Sequence, residues 1–430
     1  MVVIRKTDTI VIGGGQAGLS LSYYLSRLGH RHVVLERDRI GDQWLARWDS
    51  LSLLTPNWLN RLHGGKPHAD AHGFLSASAF AAYLRRYARS FGAPVHERAG
   101  VRGVTHKHGA FEVETERGTW RAHNLVLATG HAAEPGIPAL SAGVPSRLVQ
   151  MHASAYRNPA ALPDGGVVVV GSGPSGQQIA AELRRAGRRV VLAVGQHTRS
   201  MRRYRGRDIW YWLYAIGDLH QTTADIRHRL VKRPPSLAVS GAHGGEQLDL
   251  SLLHALGVTI TGRVRGFDGT TVSFADDRDE KIDEAELGMR SVLDRIDDHI
   301  NEVRPDWPHA SDRIPDVRLD PSLPALDLAE AGIGTVLWAT GYRRDYSWLD
   351  VPDALDPSGE IVQHHGVSPV PGLYTVGLNF QRYRASHFIG GVGADALPLA
   401  RELVGAHAER AGETRAHVGR VPTGFAYAKA

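Results

Sequence analysis

The sequence predicts an α/β fold of two Rossmann-like dinucleotide-binding domains, the second inserted into the first. Three observations carry this. A strand, a glycine-rich turn, a helix and a second strand follow one another at the N-terminus, and the same series returns from Gly166 onward. A strand closes on Ala128-Thr129-Gly130, and a late one closes on Ala339-Thr340-Gly341. A glycine-rich segment at Gly390–Gly393 then precedes a last apolar helix, which suggests a return to the first domain.

In the first unit, Thr9–Ile12 is a run of four β-branched residues and reads as a short buried strand. Gly13-Gly14-Gly15-Gln16-Ala17-Gly18 turns the chain into a helix over Leu19–Leu28, and His32–Leu35 is the next strand, ending at Glu36. Glycines at 13, 15 and 18 allow the tight turn, the close approach of backbone to a pyrophosphate, and helix–strand packing. The helix start at Gln16 and Ala17 offers free N–H groups and a positive dipole end to the phosphates. Glu36, with Arg37 beside it, stands 23 residues after Gly13, where a carboxylate accepts hydrogen bonds from a ribose diol.

The second unit repeats the pattern with a different ending. Gly166–Val170 is a strand, Gly171-Ser172-Gly173-Pro174-Ser175-Gly176 the turn, Gln177–Ala186 the helix and Arg189–Ala193 the next strand. Position 23 after Gly171 is Val194, no acid lies nearby, and Arg199, Arg202, Arg203 and Arg205 follow. A missing carboxylate removes repulsion, and guanidinium groups bind a ribose 2′-phosphate bidentately. The second unit is therefore expected to take NADPH in preference to NADH.

The remaining segments place the boundaries. Ser78–Phe91 has the spacing of an amphipathic helix, while Gly103–Val113 and Thr119–Asn124 read as a small antiparallel element. Leu125–Leu127 and Thr335–Ala339 are strands, and the proline-rich stretch 134–163 reads as a linker. Leu373–Gly377 and a helix over Ala394–Gly405 end the readable chain. Trp210–Leu219 and Ala224–Lys232 are candidate helices beside a substrate, and Ile282–Val303 reads as a solvated helix. The expected division is 1–160 for the first domain, 161–335 for the second with its helical substrate-side insert, and 336–430 for the return.

Composition narrows the chemistry. The 430 residues carry 42% hydrophobic and 22% charged side chains, the ordinary globular range. A formal charge of +5 spread over that length argues weakly for an acidic partner, and no basic run is interleaved with aromatics, so nucleic acid is not expected. Cysteine is absent, which excludes disulfides, thiolate nucleophiles and Cys-ligated metals, and no other metal motif stands out. Neither a signal peptide nor a run of membrane-spanning length is evident, so a cytoplasmic protein without membrane contact is the expectation.

GGGQAG, GSGPSG, LATG at Leu127–Gly130 and LWATGY at Leu337–Tyr342 together resemble the class B flavin-dependent monooxygenases. That family includes the flavin-containing, YUCCA-type and Baeyer–Villiger monooxygenases, and the resemblance runs over nearly the whole chain. It implies FAD in the first unit and NADPH in the second, with Thr129, Gly130, Thr340, Gly341 and Tyr342 at the dinucleotides. It also implies flavin contacts from Gln43 and Trp44 and from Gly393 and Ala394. By the same resemblance, reduced FAD reacts with O2 to give a C4a-hydroperoxyflavin that hydroxylates or N/S-oxygenates a small apolar or aromatic molecule. Asn57 or Thr55, after the Trp44 segment, could donate a hydrogen bond there, or either is an ordinary turn residue. The family's fingerprint between the glycine motifs is matched at His152 and Tyr156, whereas Ser146 and Leu148 occupy its Phe and Gly positions. The Baeyer–Villiger version fits worse, which leaves hydroxylation or heteroatom oxygenation ahead of ketone-to-ester chemistry. An NADPH oxidase or a flavin-dependent reductase without oxygen insertion is the alternative, and a homodimer is compatible with the sequence.

Overall fold

A computed structural model describes residues 4–225, 236–307, 314 and 316–411. The first unit runs through β1 (Thr9–Ile12), α1 (Gln16–Arg27), β2 (His32–Leu35), α2 (Ala77–Ser90) and β3 (Val95–His96). The antiparallel run β4 (Val101–Lys107), β5 (Ala110–Thr115) and β6 (Gly118–Ala122) leads into β7 (Asn124–Leu127). The second unit begins with β8 (Val149–His152), β9 (Gly166–Val170), α3 (Pro174–Arg185) and β10 (Val190–Ala193). It continues through α4 (Ile209–Ala215), β11 (Thr259–Thr261), α5 (Arg278–Val303) and β12 (Ile333–Trp338). Finally β13 (Leu373–Thr375) and α6 (Val392–Ala411) rejoin the first.

Two five-stranded parallel sheets follow one plan, ordered β13-β7-β1-β2-β3 and β8-β12-β9-β10-β11. In each, the strand before the glycine turn lies between the strand after the helix and the strand that ends in Ala-Thr-Gly. Ile12 is thus level with Leu35 and Leu127, and Val170 with Ala193 and Trp338. Alternate residues of each strand feed opposite faces. In the first sheet, Val11, Val34 and Val126 pack on the helical side, against Leu21 and Leu25 of α1, Phe80 of α2 and Leu399 of α6. Ile10, Ile12 and Leu125 pack on Val104, Phe111 and Val113 of the antiparallel layer. Burial on both faces explains why these strands are unbroken apolar runs.

The structure departs from the sequence reading at three places. The proline-rich stretch is more than a linker, because β8 lies within it and pairs with β12, so the second sheet begins before residue 160. The expected helix over Ala224–Lys232 falls, past Asp225, outside the described residues. The solvated helix is α5, and one of its faces is buried. Met289, Leu293, Ile296 and Ile300 pack with Trp210 and Trp212 of α4 and with Leu219, and Glu286 and Asp297 of the same helix pair with buried arginines. An i, i+4, i+7, i+11 apolar stripe underlies this, read correctly as a helix but not as a seam.

The two units are interlocked at several points, two of them extensive. Trp48, Leu51 and Ala77 of the first unit sit in the core of the second, against Tyr156, Val167, Ile179 and Leu183. The segment after α4 lies along the chain before α6, where the Arg384 and Ala385 N–H groups donate to the Gln221 and Leu219 carbonyls at 2.9 and 3.2 Å. Truncating a buried contact on α5 tests the packing: Ile296→Ala, at a site with no exposure, is expected to lower unfolding free energy by ~2–5 kcal/mol. Leu287→Ala on the same helix, 69% exposed, should change it by less than ~0.5 kcal/mol, and denaturant titration of both variants checks the contrast.

Candidate active site

Both glycine turns are built to the same tolerance. Gly13 (φ +109°) and Gly171 (φ +106°) are left-handed, and a Cβ on either would meet the carbonyl oxygen of Ala128 or Ala339 at 2.4 or 2.6 Å. A Cβ on Gly18 or Gly176 would lie 1.9 Å from the carbonyl oxygen of Gly13 or Gly171. At Gly15 and Gly173 it would meet nothing within 4 Å. The outer glycines are thus required by protein backbone, while the middle ones face open space where a pyrophosphate could approach. No side chain caps the N-terminus of α1 or α3, where Gly15 and Gly173 are the cap residues and Pro174 takes the first helical position. The first-turn N–H groups at Gln16, Ala17 and Ser175 are therefore directed into these two cradles, which fit dinucleotide phosphates.

The cradles end differently, as the sequence suggests. The Gly14 and Asp38 N–H groups donate to the two Glu36 carboxylate oxygens at 2.7 and 3.1 Å, which holds the carboxylate beside the first turn. Burial raises the Glu36 pKa, and those two N–H groups pull it back. Arg37 is exposed and donates to the Gln43 amide oxygen at 3.3 Å, forming a polar rim. Trp44 packs edge-on against Phe80 with centroids 4.9 Å apart. At the second cradle Val194 is fully buried, and the Ser172 hydroxyl lies 3.3 Å from the Gly195 N–H in place of the carboxylate clasp.

The arginines expected to hold a 2′-phosphate are mostly committed elsewhere. Arg199 is 6% exposed and paired with Asp249 and Glu286. Arg202 is 2% exposed, pairs with Asp208 at 2.7 Å and donates to the Leu54 carbonyl at 2.8 Å. Arg205 pairs with Asp297 at 2.9 Å. Arg203 is exposed and donates to the Gly244 carbonyl at 3.3 Å. A buried guanidinium already matched to carboxylates cannot be withdrawn for a ligand without leaving those carboxylates unpaired. Arg199 and Arg202 are internal struts.

The expected catalytic polar residues are also occupied. Asn57 accepts from the Leu75 N–H and donates to the Asp70 carbonyl, both at 2.9 Å. The Thr55 hydroxyl gives its hydrogen to the Asn60 amide oxygen at 2.6 Å, while Asn60 donates back to the Thr55 carbonyl. These two residues shape the 55–75 loop: the Thr55 hydroxyl hydrogen is used within it, and Asn57 is held there through its amide oxygen and one of its two amide N–H groups. His152 places Nε2 2.9 Å from the Gly341 carbonyl and Nδ1 2.9 Å from the Ser154 hydroxyl. Burial lowers its pKa, so a neutral ring donates through Nε2 and ties the end of β8 to the second Ala-Thr-Gly turn. Thr340 donates to the Gly136 carbonyl at 2.8 Å, and Tyr342 stacks edge-on with His152 and meets Arg47 through its ring and hydroxyl. On the opposite turn, Thr129 is exposed and Gly130 is left-handed (φ +73°).

The start of α6 brings together groups far apart in sequence. Gly377 approaches Ala17 so closely that a Cβ would lie 2.6 Å from the Ala17 Cβ, which sets the α6 segment beside the start of α1. A Cβ on Gly393 would meet the His63 ring at 2.7 Å, and Tyr24 hydrogen-bonds that ring. Ala394 is half-buried, its N–H donating to the Gly391 carbonyl. Burial pushes His63 down to about 4 and His387 to about 3, so both rings are neutral. Asp395 has no exposure and lies 3.5 Å from Arg382 Nε; burial pushes it up to about 6. Aromatic contacts border the same region, Trp210 on Phe388 at 5.4 Å and Phe388 on His387 at 4.7 Å. His63 carries no sequence signal, because only the fold brings it to Gly393.

Comparison with known proteins agrees with this arrangement. The family described as Pyridine nucleotide-disulphide oxidoreductase matches residues 10–216. The chain is 31% identical over 399 residues to the uncharacterized oxidoreductase CzcO-like of Geobacillus kaustophilus, covering 92% of this chain and 98% of that protein. It is 25% identical to indole-3-pyruvate monooxygenase YUCCA1 of Oryza sativa subsp. japonica, covering 92% and 90%. A flavin-containing monooxygenase from Stenotrophomonas maltophilia has a similar fold, with a TM-score of 0.66 at 22% identity over 94% of this chain and all of that one.

Two outcomes follow from the geometry. Gly18→Ala forces a methyl group into the Gly13 carbonyl and is expected to yield protein without bound FAD, measured by the flavin-to-protein absorbance ratio. Asp395 binds its proton more tightly folded (about 6) than at its ordinary 3.8, so its ionisation costs stability as pH rises through that window. Asp395→Asn should therefore melt at a higher temperature than the parent at pH 8, with the gain gone by pH 4; a constant difference across that range would contradict it.

Proposed function

The chain belongs to the class B flavin-dependent monooxygenase family, and from that premise we propose that it is a single-component monooxygenase. It takes FAD in the first cradle and NADPH in the second, and inserts one oxygen atom of O2 into a small apolar or aromatic molecule. The duplicated cradle with opposite endings carries the reading. Glu36 stands at one strand end, and buried Val194 and Gly195 at the other.

When bound, FAD supplies a hydride acceptor that can then activate O2. The chain's own groups bind, orient and exclude water. The N–H groups of α1 and α3 take the two pyrophosphates, and Glu36 accepts from the ribose diol of FAD. The positive dipole end at the start of α6 would favour negative charge on the flavin ring. His63 and His387 stay neutral by burial, so this end of the site presents no competing cation from either ring. Trp210, Phe388 and the Trp58–Tyr214 pair (centroids 6.0 Å apart) give an aromatic wall that excludes water and suits an apolar substrate. His152 acts at a distance, as a positioning residue for the second Ala-Thr-Gly turn.

The test is isotopic. Purified protein with FAD, NADPH and 18O2 is offered a panel of amines, sulfides and indoles, and products are weighed by mass spectrometry. One 18O atom per product molecule and per NADPH consumed is expected. Hydrogen peroxide as the sole product across the panel would leave an oxidase in place of a monooxygenase.

A further inference from the structure

We infer that Arg263, held by Asp277, is the residue that distinguishes NADPH from NADH at the second cradle; this rests on the reading of that cradle as a nicotinamide dinucleotide site. The two sheets supply the frame. Ile12 is level with Leu35 in the first and Val170 with Ala193 in the second, so the end of β10 occupies the place of the end of β2, where Glu36 stands. The 2′-position of an adenosine ribose bound at the second turn lies at that strand end. Val194 is buried there and Gly195 carries no side chain, so neither supplies a recognising group, and the neighbouring strand brings a cation to the same place.

The adjacent strand is β11, with Thr261 level with Ala193. The chain leaves it through Gly262 and Arg263. The Arg263 Cγ and Cδ atoms lie 3.7 and 3.8 Å from where a side chain on Gly195 would begin, so its stem crosses beside the vacant position. The side chain is 61% exposed. Its Nε edge is engaged by the Asp277 carboxylate, whose other oxygen accepts from the Arg263 N–H at 3.2 Å. The Nη1 and Nη2 groups have no partner among the described residues. Asp277 thus fixes the plane of a guanidinium whose outer nitrogens face solvent, a geometry suited to a phosphate dianion. Arg199, Arg202 and Arg205 are also paired with carboxylates but are buried within the fold, whereas Arg263 is exposed.

Calorimetric titration of the FAD-loaded protein with NADP+, NAD+, 2′,5′-ADP and 5′-AMP tests the assignment without turnover. Arg263→Ala is expected to weaken NADP+ and 2′,5′-ADP by on the order of 10- to 100-fold, the equivalent of one lost charge-assisted contact. It should leave NAD+ and 5′-AMP unchanged. Arg263→Lys should fall between, and Asp277→Asn should weaken NADP+ less than Arg263→Ala, with the NAD+ affinity unmoved. Equal weakening of NADP+ and NAD+, or no change in either, overturns the inference. So does a selective loss of NADP+ at Arg203→Ala with Arg263→Ala silent, which would move the phosphate to the 203–208 hairpin. Failure of the parent protein to bind either dinucleotide would instead sink the cradle itself, and this assignment with it.

Discussion

The contact on which both sites depend is a backbone one. In each turn the carbonyl of the first glycine lies where the side chain of the last would begin, 1.9 Å from a hypothetical Cβ. That contact draws helix and strand together, and leaves the helix N-terminus open over the middle glycine. The positive φ of the first glycine, and its closeness to the alanine carbonyl of the Ala-Thr-Gly turn, bring a third strand end into the same few ångströms. Everything a dinucleotide would need then lies at the C-terminal ends of neighbouring strands: uncapped N–H groups, the strand end carrying Glu36 or Gly195, and the Ala-Thr-Gly turn.

Much of this was legible in the sequence, because it depends on local pattern. Glycine spacing, β-branched strands and the interval to Glu36 are short-range features, and the strands and helices of both glycine units lie within a few residues of their expected limits. Long-range electrostatics were not legible. Arg199, Arg202 and Arg205 look like a cationic patch in sequence, yet their partners Asp249, Glu286, Asp208 and Asp297 lie from 6 to 92 positions away in the chain, and burial selects the pairing. Asn57 and Thr55 show a related effect. A polar side chain in a loop looks available until the backbone groups around it are counted.

Composition disguises strand β8 and the buried face of helix α5. Prolines at 135, 138, 145, 159 and 163 mask the four-residue strand among them, since only the parallel partner β12 makes Val149–His152 a strand. In α5 the abundance of acids hides a narrow apolar stripe, wide enough to cover the aromatic residues of α4. Conversely, His63, His387 and Asp395 gather at the start of α6 from two distant stretches of the chain, the two rings neutral and Asp395 keeping its proton up to about pH 6. Their low proton affinity as bases, and the raised one of Asp395, come from desolvation and so from packing.

The indole of Trp48 and the side chain of Leu51 have a consequence for how the protein can be divided. They belong by sequence to the first unit but are part of the buried core of the second. A piece cut at the sheet boundaries would lose these side chains from the buried cluster that holds Val167, Ile179 and Leu183. The coenzyme half is therefore not a transferable cassette. Its solidity is on loan from the flavin half, and any lineage that exchanged one without the other would have had to rebuild the seam.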